Sequence, residues 1–248
     1  LLIIVFHMGV RGAAVATVIS QFVSGVLCLI YVKRSFYILH ITKETRGFDF
    51  KYVKELLRNG LPLALQFSIT AIGSVMLSSC VNSLGADIIA AMTIGTKTQL
   101  MIVLPAETIG ITMATYCGQN LGARKYERIT KGVKRAIMVA LVYSAIGFIV
   151  ARFFGPYISL MFIDKGETEV IALAQQYINM GSYFYPILAL LFVLRNSIQG
   201  VGYSMTAMTT GVFELVARGV MGFGFVNRLG YDAACVANPV AWATADLF

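Results

Sequence analysis

A chain of 248 residues with 58% hydrophobic and 13% charged side chains and a mean hydropathy of +0.76 is far more apolar than a soluble domain, in which roughly a quarter of residues are charged. Its net charge of +8 does not point to nucleic acid, because the basic residues lie between apolar runs and form no basic face interleaved with aromatics. The chain reads as an integral membrane protein, since several apolar runs approach the roughly 20 residues that a bilayer-spanning helix needs.

Leu1 to His7 reads as the end of a span and Met8-Gly9-Val10-Arg11-Gly12 as a short turn, so the sequence is taken as a fragment that starts and stops inside apolar helices. Ala13 to Val32 is a full span closed by Lys33-Arg34. The polar segment from Lys33 to Arg58 carries seven basic residues, and within it Phe50, Val53 and Leu57 recur opposite Lys51, Lys54, Glu55 and Arg58, the pattern of a helix lying on the membrane surface. Asn59-Gly60-Leu61-Pro62 is expected to restart a helix, with proline in its first turn, and this span runs to about Asn82. After a tight turn at Leu84-Gly85-Ala86, Ile88 to Cys117 is longer than a bilayer needs, and a kink at Pro105 or a tilt absorbs the excess.

That helix is expected to break at Gly118 and turn through Gln119-Asn120-Leu121-Gly122 into six cationic side chains: Arg124, Lys125, Arg128, Lys131, Lys134 and Arg135. Ala136 to Phe153 spans next, followed by an acidic loop with Asp164, Glu167 and Glu169. Ile171 to Gly200 spans with Pro186 inside it, and the Gly200-Val201-Gly202 turn leads to Met205 to Val226, a second turn at Leu229-Gly230 and a last span ending at Phe248. Thirteen of the twenty basic residues fall in Lys33 to Arg58 and Arg124 to Arg135, which lie on one side if every span crosses once, and the positive-inside rule makes that side cytoplasmic. A weak internal repeat relates Val5, Gly9, Ala13, Val15 and Ala16 to Val226, Gly230, Ala234, Val236 and Ala237, as in transporters built from two similar halves.

Cys28, Cys80, Cys117 and Cys235 lie far apart, with no CxxC pair and no neighbouring histidine, so they read as packing residues, as do the isolated His7 and His40. No HExxH, GxSxG or paired-aspartate motif occurs, and neither enzymatic activity nor a cofactor is expected.

A charged side chain within a span costs roughly 2.5 to 3.5 kcal/mol on insertion scales and therefore needs a partner, an aqueous cavity or an escape to the interface. Glu214 lies about nine residues into its span, roughly 13 Å at 1.5 Å per residue, and Arg218 follows at i+4 on the same face. The pair either binds a proton, cation or substrate or is a structural ion pair. Arg195, with Gln199 one turn on, either snorkels to the cytoplasmic face or meets Glu214 as a gate. Lys97 is too far along the helix from Glu107 to pair with it and is a candidate for a cavity. Gln66 and Thr70, at i and i+4, place two polar groups on one face, suited to substrate or to another helix. The candidate binding residues are thus Gln66, Thr70, Lys97, Arg195, Gln199, Glu214 and Arg218.

Three stretches carry a family resemblance: Gly118-Gln119-Asn120-Leu121-Gly122-Ala123-Arg124-Lys125, Leu194-Arg195-Asn196-Ser197-Ile198-Gln199-Gly200-Val201-Gly202 and Gly211-Val212-Phe213-Glu214-Leu215-Val216-Ala217-Arg218. In that order, each on its own span, they closely resemble signatures of multidrug and toxic compound extrusion (MATE) transporters. The resemblance implies an all-α polytopic transmembrane bundle. Residues 1–32 would end the amino-terminal lobe, 33–58 would be a cytoplasmic linker with a surface helix, and 59–248 would form the carboxy-terminal lobe with its last helix cut short. It also implies a multi-pass transporter of the plasma (inner) membrane, monomeric when full length, whose partners are membrane lipids and a small organic substrate, often cationic. Export would be coupled to H⁺ or Na⁺ by alternating access. Where members resembling the NorM type carry carboxylates, this chain aligns Thr70 and Leu188, so it looks more like the DinF-type branch. The alternative within the wider superfamily is a lipid-linked oligosaccharide flippase, which Lys97, Arg195 and Arg218 would suit. Neutralising Glu214 in the complete protein is expected to lower export and leave membrane insertion intact.

Overall fold

The computed structural model describes residues 8–37, 40, 47, 49–163 and 166–248, and helices are the only regular structure among them. The chain divides between Tyr52 and Val53 into two units. The expected stub from Leu1 to His7, the linker residues Lys43 and Arg46, and Asp164 and Lys165 of the acidic loop lie outside the described residues.

In the first unit, α1 (Gly9–Ser35) already includes Gly9 to Gly12, which corrects the turn expected over Met8 to Gly12. It is apolar on every face and only Gly12 is buried, as befits a helix whose surroundings are lipid or another protein surface. Lys33 and Arg34 in its last turn complement the helix dipole and suit the bilayer edge. His40, read from the sequence as isolated, places Nε2 2.6 Å from the Lys33 carbonyl oxygen.

α2 (Phe50–Val81) is one continuous helix, so no restart occurs at Asn59 to Pro62. The Asp49 carboxylate accepts the Lys51 N–H, 2.8 Å, and caps it. Pro62, buried within the helix, forfeits only the one bond that its missing N–H would make to the Arg58 carbonyl. α2 is the loosest-packed long helix of the second unit. Its buried stripe of Pro62, Gln66, Gly73, Leu77 and Val81 meets α7 (Ser204–Gly219) and the π-helical stretch that follows (Val220–Val226) where Gly211, Arg218 and Gly222 lie.

A 3-10 turn (Asn82–Leu84) and Gly85 at φ 114 lead, as expected, into α3 (Ala86–Gly122). α3 does not break at Gly118, because that glycine serves packing: a Cβ there would lie 3.2 Å from the Gly200 carbonyl oxygen of α6 (Tyr185–Gly200). The helix stops beyond Gly122, where Arg124 takes φ 56 and the Lys125 N–H donates to the Asn120 carbonyl, a Schellman-type ending with arginine where glycine is usual. α4 (Tyr126–Ser159) begins ten residues before the expected Ala136, so four of the six cations ride on its first turns.

The buried stripe of α4 consists of Ala136, Ala140, Ser144, Gly147, Ala151, Gly155 and Ser159, all small, while Met138, Val142, Ile149 and Phe153 point outward. Lipid chains are as apolar as leucine, so helices gain little by hiding apolar surface from them and associate through close packing, which small residues permit. The α3–α6 contact works the same way. A Cβ on Gly110 would lie 2.7 Å from the Phe192 carbonyl oxygen, and one on Gly200 would run into the Ala114 backbone.

The single span expected from Ile171 to Gly200 is two helices, α5 (Thr168–Ser182) and α6, bent by 57°. Pro186 sits in the first turn of α6 and has no N–H for the Ser182 carbonyl four residues back, which is where α5 ends. Gly202 at φ 94 makes the expected turn into α7. The helical course continues through the π-helical stretch and a terminal turn (Asn227–Leu229) to Gly230, at φ 64, and then α8 (Tyr231–Leu247). Among the described residues, five helical segments are long and apolar enough to cross a membrane, or six with the bent pair as one span.

Replacing Gly110 by Leu in the complete protein forces side-chain atoms onto a backbone carbonyl. The thermal midpoint in detergent is expected to fall by several degrees, for about 1–3 kcal/mol of overpacking. Gly60→Ala, with nothing within 4 Å of the new Cβ, should leave it unchanged or higher; equal midpoints for both would contradict the α3–α6 contact. Arg124→Gly relieves a left-handed residue and is expected to stabilise by about 1 kcal/mol in the same assay.

Candidate functional site

On α7, Thr210, Gly211, Glu214, Ala217 and Arg218 form the buried face, and the spacing of Glu214 and Arg218 brings their side chains together. Arg218 Nη2 donates to Glu214 Oε2 at 3.0 Å, and Arg195 Nη1, from α6, donates to Glu214 Oε1 at 2.7 Å. Arg195 therefore meets Glu214 instead of extending to the interface, which is the contact read from sequence as one of two alternatives. Glu214 is 2% and Arg218 4% exposed, so this is an ion triad in a low-dielectric interior, where each charge depends on the others.

The network continues. Arg218 Nε donates to Asn238 Oδ1 at 3.0 Å, and Asn238 Nδ2 donates to the Tyr177 hydroxyl at 3.0 Å. Five side chains thus link α6, α7, α8 and α5. A second link ties α2 to α6, where Gln199 Nε2 donates to Gln66 Oε1 at 2.6 Å.

Both sets of residues converge on a cavity of about 400 Å³ walled by α2, α3 and α5 to α8. Gln66, Thr70, Arg195, Glu214 and Arg218 line it, and Gln199 reaches it through Gln66. The bend at Pro186 lets one broken span contribute Tyr177 from its first half and Leu188, Leu191 and Arg195 from its second. Apolar surface comes from Phe67, Leu100, Phe192 and Trp242.

Lys97 is not part of this site. The cavity face of α3 carries Thr96, Gln99, Val103 and Glu107, at i, i+3, i+7 and i+11, and Lys97 is turned away from it. Its exposed ammonium lies 5.6 Å from the centre of the Phe162 ring, in a separate groove with Ser78, Asn82 and Thr93. Glu107, recognised in the sequence as an in-span charge but not chosen, does line the cavity.

Sequence reasoning also missed Gln99, Tyr177, Asn238 and Trp242. Asn238 offered a signal, a lone amide deep in an apolar run, to which the argument applied to Glu214 applies equally. Nothing separates Tyr177 from the other eleven tyrosines by pattern alone.

The MatE family profile matches residues 62–223. The chain belongs to the MatE family. It is 31% identical over 226 residues to the probable multidrug resistance protein YpnP of Bacillus subtilis (strain 168), covering 91% of this chain and 49% of that protein. It superposes on the crystal structure of MATE in complex with MaL6 with a TM-score of 0.88 at 20% identity, over 99% of this chain and 56% of the other. An outward-facing conformation of a multidrug resistance MATE family transporter of the MOP superfamily gives 0.87 at 19% identity, over 99% and 55%. The chain spans about half the length of the relatives it matches, and at these structural identities the likeness is one of fold. MatE membership and the apolar helices establish a membrane-embedded protein of all-helical transporter fold.

Replacing Glu214 by Gln leaves two buried guanidiniums face to face, which costs about 3–5 kcal/mol where a buried pair is broken on one side. The melting temperature of the complete MatE protein is expected to fall sharply, and Arg195→Gln added to Glu214→Gln should recover part of the loss. Strictly additive effects in that double-mutant cycle would show that the two side chains do not interact.

Proposed function

We propose that the complete protein is a secondary antiporter of the plasma (inner) membrane that exports organic, often cationic, drugs or toxins in exchange for H⁺ or Na⁺ by alternating access. The observation that carries this reading is the cavity of about 400 Å³ in which apolar walls surround a buried ionic network. That volume lies within the roughly 300–1,000 Å³ of small-molecule sites, and its few fixed polar groups suit orientation of a ligand. MatE membership and the likeness to YpnP support the same reading. As proposed, the protein works as a monomer, with lipids and a small organic substrate as its partners.

Coupling needs a group that changes its ligand during the cycle. Glu214 is poorly suited, since each of its oxygens is held by an arginine. Thr70 and Leu188 supply no carboxylate at the positions where the NorM type has them, which supports the DinF-like branch. Glu107 lines the cavity and forms no ion pair among the described residues. The flippase alternative draws no support from charge, since Arg195 and Arg218 on the cavity wall are matched by Glu107 and Glu214.

The test is ethidium export by the complete protein in inverted membrane vesicles, with Na⁺ and proton gradients imposed separately. Export driven by one of them is expected and names the ion. Absence of export under both, with folded protein in the membrane, would overturn the antiport reading in favour of lipid transport.

A further inference from the structure

We propose that a groove between α3 and α4, at the basic end of the bundle, holds the phosphodiester of an anionic membrane phospholipid whose acyl chains run along the outer face of α4. The groove lies outside the cavity, and its occupant does not depend on what the cavity carries.

The groove encloses about 370 Å³ and is lined by Met113 and Tyr116 of α3 and by Arg128, Lys131, Gly132 and Arg135 of α4. Gly132 makes it possible. A Cβ there would run into the Tyr116 ring, so the ring lies directly against the α4 backbone. The Tyr116 hydroxyl donates to the Arg128 carbonyl, 3.1 Å, which fixes the ring and leaves the cations as the free donors of the groove. Arg128 stands one turn before Gly132 and Arg135 one turn after it, about 10 Å apart at 1.5 Å per residue.

The charge here is one-sided. Glu127 is the only acid between Glu107 and Asp164, against six cations from Arg124 to Arg135. It meets Lys131 at 3.3 Å with both side chains exposed, a pair of little worth in water. α6, which also packs on this end of α3, carries no acid. Arg128 and Arg135 form no ion pair among the described residues, and both are exposed, so a headgroup can reach them. The positive-inside rule puts this end at the cytoplasmic leaflet, where anionic lipids attract basic segments next to a span.

The course of α4 decides which kind of anion fits. It adds nothing to the cavity wall and packs inward through its stripe of small residues, so its opposite face looks away from the cavity. Arg128, Arg135, Val142 and Ile149 recur at steps of seven and share that outer face, with Met138 and Phe153 beside them, all exposed. No further charge follows until Arg152, roughly 25 Å beyond Arg135 along the helix. A free phosphate would engage the cations and leave this face bare. A phospholipid engages both, with its phosphate at the arginines and its chains on the apolar stripe.

The experiment uses the complete protein in detergent and two phospholipids with the same fluorescent acyl chain, phosphatidylglycerol and phosphatidylcholine, read by anisotropy. Phosphatidylglycerol is expected to bind about tenfold more tightly, a scale that two or three cations near a headgroup allow. Arg128→Gln with Arg135→Gln should remove most of that preference, and as surface changes should leave the thermal midpoint almost unmoved. Lys51→Gln with Lys54→Gln, which takes the same charge from the start of α2, should keep it. If the paired arginine variant does not fold, the two single substitutions decide. Equal affinity for the two lipids, or a preference undiminished by the arginine substitutions, overturns the site. So does an equal loss in the arginine and lysine variants, which would report overall charge alone. Displacement of the probe by inorganic phosphate at concentrations as low as those of dioctanoyl phosphatidylglycerol would assign the arginines to a free anion and overturn it as well.

Discussion

A carboxylate buried from water inside a bilayer needs charged partners within reach, and Glu214 has one guanidinium on each oxygen. Everything around the cavity follows from this. Arg218 comes from the same helix, one turn on, and costs no new architecture. Arg195 comes from α6, so the pairing fixes the face that α6 turns toward α7. The guanidinium of Arg218 then orients Asn238 on α8, and Asn238 in turn holds Tyr177 on α5. In a medium that offers the unsatisfied groups no water, such a chain of side chains specifies which helix faces meet more sharply than apolar contact can.

Close packing supplies what the network does not. The small residues along α4, and the glycines of α3 and α6 that meet backbone carbonyls, let helices approach until dispersion forces hold them. α2 differs from this pattern. It touches the bundle through a few side chains, among them the Gln66–Gln199 bridge, and it forms one wall of the cavity. The wall with the least packing is thus also the one that can shift at least cost.

Much of this was legible in the sequence, and the failures have physical causes. The in-span charges and the glycine turns at Gly85, Gly202 and Gly230 were readable because bilayer thickness and backbone handedness leave few alternatives. Helix ends were not, since hydropathy marks where a helix leaves the apolar layer and says nothing of where its backbone bonds stop. Hence α2 extends back through Lys51 to Arg58, and α4 starts among the cations at Tyr126. The pairing of Glu214 with Arg218 is local and followed from helical spacing, whereas its pairing with Arg195 joins two helices and spacing left it open. Lys97 was placed by depth alone, and depth does not tell which way a side chain faces around the helix.

Gly9 and Gly230, matched in the weak repeat between the chain's two ends, adopt φ 54 and φ 64, and each stands at the start of a helix. A Cβ at either would meet nothing within 4 Å. Both places combine open space at Cβ with a backbone angle that L-residues resist. What the two ends share is therefore a demand of chirality alone: a D-alanine would satisfy both positions, and no change in size among the L-residues would.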